Sequence, residues 1–343
     1  MSSPAIEERP ATSSGASRPV LVWAIFGVLQ VIFAIYCVVR WAAAGQMRPT
    51  QPGPDVMSAS TTVVMWLLQV VGPGVAVWII WRFVVVPWRR DRRLSSDGIL
   101  VIACFAIGIP HDILNTYTSP SFSYNSHYVN AGSWMSQVPG VLTPNAHLVP
   151  EPLLLVLPAY GWCVFLAAVL GCWIMGRVRR RWPQVPYPGL LGLTFACFAA
   201  LDVVFESTLV WLHVQCYTGV IHGMTLWEGT DHQLPGYEVV FWAVFWTGMS
   251  ALRFSRDDRG LTIAERGVAS LRVAPRQATV IRLLAVIGAA TAIITVLYNV
   301  PWQLASSHNN RFPTALPSYL LNGICAPASK PASAEVPPCP GPR

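Results

Sequence analysis

Residues 153–181 read LLLVLPAYGWCVFLAAVLGCWIMGRVRRR, an apolar run that ends in four arginines. A helix needs about 20 mainly apolar residues to cross a bilayer, and this run is long enough. Six other stretches have the same character, which gives seven candidate spans: 20–41, 62–86, 98–115, 153–175, 189–213, 237–254 and 280–301. The sequence therefore predicts an all-α integral membrane protein, a bundle of about seven transmembrane helices.

The composition agrees with a membrane protein and argues against a nucleic-acid partner. The chain of 343 residues is 53% hydrophobic and only 11% charged, about half the charge density of a typical soluble domain. Its net charge of +7 is carried by arginine blocks without interleaved aromatic residues, unlike a nucleic-acid-binding stripe. These arginines are typical of cytoplasmic anchors, so the lipid bilayer is the expected partner.

The arginines also predict an orientation. They are concentrated in the loops at 88–93, 177–181 and 256–282, whereas 114–152 and 214–236 contain no lysine or arginine. Short arginine-rich loops stay in the cytoplasm. We therefore expect a multi-pass protein of the plasma membrane with its N-terminus inside and its C-terminus outside.

Three regions follow along the chain. Residues 1–19 and 323–343 are rich in Ser, Pro, Ala and Gly and are expected to be disordered tails. Residues 20–322 form the predicted seven-helix transmembrane domain, with a long outer loop at 115–152. Cys325 and Cys339 lie in the outer tail, and whether they pair stays open.

The triplet Gly72-Pro73-Gly74 falls in the middle of the second span. It is typical of a packing kink, and the alternative is a broken helix that lines a cavity.

Ionisable residues inside the spans are the strongest functional signal, because each is costly in a membrane unless it faces a polar interior. Asp202, Glu206 and His213 are separated by four and seven residues, which places them on one face of a helix. Acids from other helices are expected at the same depth: Asp112, with Asn115 three residues later, Glu151 and Glu238. The loop 214–236 adds His222, Glu228, Asp231 and His232.

Crowded carboxylates without counter-charges favour proton uptake and suit a general acid. The alternative is structural, in which each acid is satisfied by a tyrosine, an asparagine or a backbone group.

The outer loop 115–152 is uncharged apart from Glu151 and is dense in aromatic and hydroxyl side chains. This composition suits a lid over an oxygen-rich apolar ligand, and an interfacial aromatic belt is the alternative. The histidines at 111, 127 and 147 are too scattered for a metal box, and no HExxH motif occurs. We expect neither a metal nor a cofactor.

Several motifs resemble the AveC family of actinobacterial membrane spirocyclases. They are Tyr124-Asn125-Ser126, Asn130-Ala-Gly-Ser-Trp134, Pro139-Gly140, Pro150-Glu151-Pro152-Leu153-Leu154, Gly171-Cys172, Asp202, Glu206 and Pro235-Gly236-Tyr237-Glu238. The resemblance extends over about 20–325. It implies an enzyme of polyketide and antibiotic biosynthesis that closes a dihydroxy-ketone into a 6,6-spiroketal, with dehydration of one ring in some members. The implied partner is a hydrophobic polyketide or macrolide substrate.

The acids fit such chemistry, because an oxocarbenium intermediate needs carboxylates nearby and water excluded. The expected catalytic residues are Asp112, Asp202, Glu206 and Glu238. The expected substrate-binding residues are Asn115, Tyr124, Asn125, His127, Asn130, Trp134, Glu151, His213, Glu228 and Tyr237.

Two other functions stay open. In a small-molecule or proton-coupled transporter the same acids would form a proton relay; the absence of a visible internal repeat counts against this interpretation. In a structural or receptor-like membrane protein the acid cluster would have no chemical role.

Overall fold

The computed structural model describes residues 19–313, 315–326 and 338–339. The predicted N-terminal tail, apart from Pro19, and most of the predicted C-terminal tail lie outside these residues. The helices are α1 Pro19–Ala43, α2 Ala59–Ile79, α3 Val86–Asp91, α4 Ser96–His111, α5 Val156–Ala159, α6 Phe165–Arg181, α7 Tyr187–Trp211, α8 Gly236–Phe254, α9 Pro275–Ile294, α10 Val300–Ser306 and α11 Ser318–Leu321.

Among the described residues, six helical segments are long and apolar enough to cross a membrane. They are Pro19–Ala43, Ala59–Asp91, Ser96–Thr116, Val156–Arg181, Tyr187–Trp211 and Pro275–Ser306, and each overlaps a predicted span. The span predicted at 237–254 is also a helix, α8, but it is not one of the six. Glu238 and Arg253 at its ends lower its mean hydropathy. Because α8 packs against α6, α7 and α9 inside the bundle, it needs less apolar surface than a lipid-facing helix.

Three of the long segments contain a wider, π-helical turn, at Ile80–Val85, Tyr160–Val164 and Thr295–Asn299. Two of these turns are followed by a proline, Pro87 and Pro301. A proline in a helix lacks the N–H and clashes with the carbonyl four residues earlier, and a wider turn accommodates both effects. The turns shift the helix faces after them, so a regular spacing of apolar residues does not predict which residues point inward.

The triplet Gly72-Pro73-Gly74 does not break the chain's second span. Residues Ala59–Ile79 form one helix that runs through Pro73. A Cβ added at Gly72 would meet the Trp162 indole at 3.6 Å, whereas Gly74 faces open space. The triplet therefore lies in a continuous helix, and the broken-helix alternative is wrong.

Helices α1 and α9 pack closely along two glycines. A Cβ placed on Gly27 would lie 1.9 Å from the Leu284 carbonyl oxygen, and one on Gly288 would lie 1.9 Å from that of Trp23. Small residues allow such backbone approach in membrane helices, where dispersion forces drive packing.

The arginine-rich loops meet at one end of the bundle. Asp97, at the start of α4, accepts hydrogen bonds from Arg253 and Arg256 at the end of α8. The buried Glu265 binds Arg282 of α9 at 2.7 Å. The predicted inner loops therefore lie together.

The loops at the opposite end fold into short antiparallel ladders. Strand β1 Ser123–Tyr124 pairs with β4 Gln215–Cys216, β2 Asn130–Gly132 with β3 Pro150–Pro152, and β5 Thr225–Leu226 with β6 Leu234–Pro235. A disulfide joins Cys325 to Cys339, which answers the question that the sequence left open.

Candidate active site

The inward face of α7 carries two of the predicted acids. Its buried residues recur every four positions: Leu190, Thr194, Phe198, Asp202, Glu206 and Val210. With 3.6 residues per turn, this spacing forms one stripe along the helix, so Asp202 and Glu206 both point into the bundle. They have 0% and 5% of their surface exposed.

The spacing predicted that His213 would share this face with Asp202 and Glu206. In the structure His213 lies outside the stripe. Helix α7 ends at Trp211, and His213 has a φ of +51°. Its Nε2 lies 3.2 Å from Asp231 Oδ2, and its Nδ1 lies 3.4 Å from the Tyr319 hydroxyl. The change of backbone direction after the helix turns this side chain away from the two acids.

Helix α4 presents the third acid through a break at Pro110. Ile109 leaves the helical conformation (φ −107°, ψ 117°), as expected of a residue before proline. Pro110 cannot donate to the Ala106 carbonyl, and Gln30 Nε2 of α1 lies 3.4 Å from that oxygen instead. The chain continues as a 3₁₀ turn, Asp112–Thr116. Because side chains three apart coincide in such a turn, Asp112 and Asn115 face the same way.

Asp112, Asn115 and Glu206 line a cavity of about 850 Å³ free of protein atoms, its opening included. The remaining lining residues are Leu68, Phe122, Tyr124, Leu155, Val156, Ala159, Tyr160, Trp162, Cys163, Val164, Phe205, Leu209, Gln215, Tyr217, Trp242, Trp246 and Tyr298. The two carboxyl groups are thus set in a largely apolar and aromatic wall.

The ladder of β1 and β4 supplies hydrogen-bond donors to both acids. Tyr124 and Gln215 are directly opposite each other in the register, and opposed residues project to the same face of an antiparallel pair. The Tyr124 hydroxyl donates to Asp112, 3.1 Å from Oδ1 and 3.2 Å from Oδ2. Gln215 Nε2 donates to Glu206 Oε2 at 2.6 Å. One ladder therefore holds both carboxyl groups at the cavity.

Tyr217, two residues beyond Gln215, donates from its hydroxyl to the same Glu206 Oε2 at 2.8 Å. Burial raises the pKa of Tyr217 far above its ordinary value, and the charge of Glu206 raises it further, so Tyr217 remains a donor. No described group donates to Glu206 Oε1. That oxygen is available to a bound molecule.

Two further acids lie behind Glu206. Asp202 and Glu238 are fully buried and accept no hydrogen bond from the described groups. Each lies close enough to the other and to Glu206 for their charges to interact, and Glu238 also interacts with Tyr217. Neighbouring buried carboxylates repel each other when both are ionised. Asp202 and Glu238 are therefore coupled to Glu206 electrostatically from behind it.

Glu151 occupies a comparable place behind Asp112. It lies in β3, is fully buried, and neither of its carboxyl oxygens has a donor among the described residues. Burial raises its pKa well above the ordinary value, and the charge of Asp112 raises it further. Glu151 does not line the cavity.

Several aromatic residues of the cavity were not predicted. Tyr160 and Tyr298 lie in π-helical turns, and the Tyr160 hydroxyl contacts the Asp112 carboxylate. Trp242 and Trp246 follow Glu238 at intervals of four, a spacing that would have placed all three on one face of α8. Tyr160 and Tyr298 had no such signal, because the wider turns alter the spacing.

A family model described as "Spirocyclase AveC-like" matches residues 91–319, which is more than half of the chain. The chain belongs to the AveC-like spirocyclase family. The resemblance seen in the sequence motifs is thereby confirmed. No curated protein and no solved structure matches the chain. The stretch matched by the spirocyclase family contains every cavity residue except Leu68 of α2.

The structure brings only some of the predicted spirocyclase site residues to the cavity. Asp112, Glu206, Asn115 and Tyr124 line it, whereas the other predicted substrate-binding residues contact protein groups elsewhere. Those residues are Asn125, His127, Asn130, Trp134, Glu151, His213, Glu228 and Tyr237.

The contacts of these residues with other parts of the protein explain why they do not line the cavity. Asn130 accepts from the Thr50 backbone N–H, Trp134 packs on Trp41, and Asn125 donates to the His213 carbonyl. Glu228 bonds the Gly223 N–H and His222, which lower the pKa of its carboxyl. Hydroxyl-rich and amide-rich loops also need internal partners, and the sequence does not distinguish that need from ligand binding.

No group of three or more His, Cys, Asp or Glu side chains among the described residues is arranged to hold a metal ion.

Proposed function

We propose that this protein spans the plasma membrane and closes a dihydroxy-ketone polyketide intermediate into a 6,6-spiroketal by carboxylate acid/base catalysis. The observation that supports this most is the placement of Asp112 and Glu206. Both carboxyl groups line one apolar cavity, and each is oriented by a tyrosine hydroxyl. The family supports a spirocyclase role.

The reaction needs an acid and a base in turn. One δ-hydroxyl adds to the ketone carbon, and its proton passes to the carbonyl oxygen, which gives a hemiketal. The acid protonates the hemiketal hydroxyl, the C–O bond breaks, and water leaves with the electron pair. The second hydroxyl then attacks the oxocarbenium carbon and releases its proton to the base. One water is lost. The acid is left deprotonated and the base protonated, so a proton passes from the base back to the acid, carried by water in the cavity, before the next turnover.

Glu206 suits the acid, because both of its donors bind Oε2 and leave Oε1 for the substrate. Asp202 and Glu238, which lie behind Glu206 and couple to its charge, are proposed to return a proton to it. Asp112 suits the base and stabilises the cation by its negative charge. A carboxylate held by fixed donors needs no reorganisation when the cation forms.

Other lining groups suit recognition of the substrate's oxygens. Asn115 Oδ1 and the Nε1 groups of Trp162 and Trp246 are buried without a hydrogen-bond partner among the described residues. The backbone carbonyl oxygen of Asn115 accepts hydrogen bonds from Trp302 Nε1 at 2.6 Å and from the Ser121 hydroxyl at 2.7 Å, and these bonds fix the position of the residue. Its side-chain oxygen can accept from a substrate hydroxyl, and the indole N–H groups can donate to a substrate oxygen.

The same acid and base, Glu206 and Asp112, would also serve for dehydration of a ring. The acid protonates a ring hydroxyl, which leaves as water, while the base removes a proton from the neighbouring carbon and a C=C bond forms. Dehydration therefore needs no additional group, and analysis of the product mass tests it.

The test uses purified protein in detergent micelles, without any gradient, and an acyclic δ,δ′-dihydroxy-ketone. Glu206→Gln and Asp112→Asn should each lower kcat by about 10²–10⁴-fold, the usual contribution of a general acid or base. Asp258→Asn, the same change of charge on an exposed loop, is the control and should match the wild type. Wild-type rates in both cavity variants would overturn the assignment. Absence of turnover in micelles, together with gradient-driven uptake of the compound into proteoliposomes, would favour the transporter.

A further inference from the structure

The cavity has a polar end and an apolar end. Its polar lining residues are all buried: Asp112, Asn115, Tyr124, Tyr160, Glu206, Gln215, Tyr217 and Tyr298. Five apolar lining residues are instead half-buried or exposed, namely Leu68 of α2, Leu155 before α5, Ala159 of α5, and Phe205 and Leu209 of α7. Phe205 has 37% of its surface exposed. The cavity therefore reaches the protein surface at its apolar end.

This opening lies between α2 and α7. Helix α2 packs against α5 and the π-helical turn Tyr160–Val164, whereas α7 packs mainly against α8 and, to a smaller extent, α6. Leu68 of α2 and Phe205 and Leu209 of α7 stand on the two sides of the opening. Half-buried Trp162 and Cys163 belong to its inner wall.

The outer loops close the cavity toward the end opposite the arginine-rich loops. The β1–β4 ladder covers the acids, and its residues Ser123, Tyr124, Gln215 and Cys216 are all buried. Beside it, Met65, Tyr128 and Val214 form a buried cluster against which Leu68 and Leu209 pack. The sideways gap between α2 and α7 is thus separated from the loops.

The surface around the opening is apolar on both helices. Trp66, Leu67 and Val70 of α2 and Leu201 and Val204 of α7 are exposed large hydrophobic residues. Both helices belong to segments of membrane-spanning length and composition. In a bilayer, this surface contacts acyl chains.

We infer that the substrate enters sideways from the bilayer between α2 and α7, with its oxygenated segment first and its hydrocarbon remainder held at Leu68, Phe205 and Leu209. This inference rests on the proposed function and adds the route and the substrate class: an amphiphile with a long apolar tail. This orientation follows from polarity. The oxygenated segment lies among the polar residues at the inner end of the cavity, and the hydrocarbon tail lies among the apolar residues at the opening.

The test uses the full chain in lipid nanodiscs and two dihydroxy-ketones, one compact and one with a long alkyl tail. Leu68→Trp and Phe205→Trp narrow the opening and should raise KM for the tailed substrate about tenfold or more, with kcat within about twofold of wild type. Leu67→Trp and Val204→Trp place the same bulk on neighbouring exposed positions and should leave KM unchanged. Phe205→Ala removes a contact with the tail, so it should raise KM for the tailed substrate and leave KM for the compact one unchanged.

A second measurement does not depend on turnover. A tailed dihydroxy-ketone with a diazirine on its tail should photolabel residues of α2 and α7 at the opening, and Phe205→Trp should reduce the labelling. Equal KM values for the opening variants and their controls, or labelling of the outer loops instead, would overturn the lateral route. Loss of kcat for both substrates in Glu206→Gln tests the chemistry separately, so failure of one proposal is distinguishable from failure of the other.

Discussion

Glu151 is an acid in a place that disfavours its charge. It is fully buried, lacks a donor among the described residues and lies near Asp112. Burial and that neighbouring charge raise the pKa of Glu151 in the folded protein above its ordinary value of 4.5. Unfolding restores the ordinary value, so the folded state binds more protons between the two values. The stability that Glu151 contributes is complete below pH 4.5 and is lost as pH rises toward the folded pKa.

Glu151→Gln removes this dependence, since the amide has a similar shape and does not ionise. We expect the variant and the wild type to have similar Tm values at pH 4.5. As pH rises to 8, the Tm of the variant should become increasingly higher than that of the wild type. Thermal unfolding in detergent at a series of pH values measures the difference. A Tm difference that is independent of pH, or one that changes in the wild type's favour, would contradict this account of Glu151.

Tyr217 is predicted to matter through its hydroxyl. Tyr217→Phe removes a donor from Glu206, and a hydrogen bond to a charged group is worth about 1.5–3 kcal/mol. We expect kcat to fall by about 10–100-fold.

The matched control is Tyr128→Phe, because the Tyr128 hydroxyl is buried, has no hydrogen-bond partner among the described residues and lies outside the cavity. If both variants lost activity equally, the effect would be structural and the role of the Tyr217 donor would be rejected.

The spacing of residues predicted Asp202, Glu206, Asp112 and Asn115 as inward-facing groups. It did not predict that Asp202 and Glu238 lie behind Glu206 rather than at the cavity. Asp202 and Glu206 are one turn apart on the same face of α7, but spacing does not say which of them reaches the cavity. The partners of the acids were also missed. Gln215 belongs to a two-residue strand and Tyr217 directly follows it, and a strand this short produces no pattern.

At the scale of elements, helix packing depends on a few close backbone contacts. Gly27→Ala should destabilise the protein, because the new Cβ would lie 1.9 Å from the Leu284 carbonyl oxygen and α1 would have to move away from α9. Gly74→Ala is the control, since nothing lies within 4 Å of its added Cβ. There the change should be neutral or stabilising by about 0.5–1 kcal/mol, as expected for alanine in a helix.

Thermal unfolding of both variants in the same detergent compares them. The prediction is that Tm falls in Gly27→Ala and is equal or higher in Gly74→Ala. A similar small shift in both would mean that α1 and α9 do not approach each other closely.

Hydropathy predicted the elements well where a helix faces outward, and less well elsewhere. Helix α8 was predicted from its apolar residues, yet its position among α6, α7 and α9 could not be, since a central helix and a lipid-facing one have similar composition. The π-helical turns were not predicted either. Pro87 and Pro301 indicate a local disturbance, but the same residues also occur at kinks.

At the scale of the whole molecule, the arginine distribution predicts the orientation. A reporter enzyme that is active only outside the cytoplasm should be active when fused after residue 140 and inactive when fused after residue 93 or 181. The reason is that loops rich in arginine stay inside, and the structure joins the end of α8 and the first part of α9 to the start of α4. The reverse pattern would place the candidate active site near the cytoplasmic face.

The central claim is that the acid-lined cavity makes this chain a spirocyclase. The most direct test incubates the purified protein with a symmetric, achiral δ,δ′-dihydroxy-ketone and analyses the spiroketal by chiral chromatography. Because the substrate has no stereocentre, any excess of one enantiomer must come from the protein. The account predicts one enantiomer in large excess from the wild type, and racemic product at the background rate from the variant that combines Asp112→Asn with Glu206→Gln. Racemic product at the background rate from folded wild-type protein would contradict it.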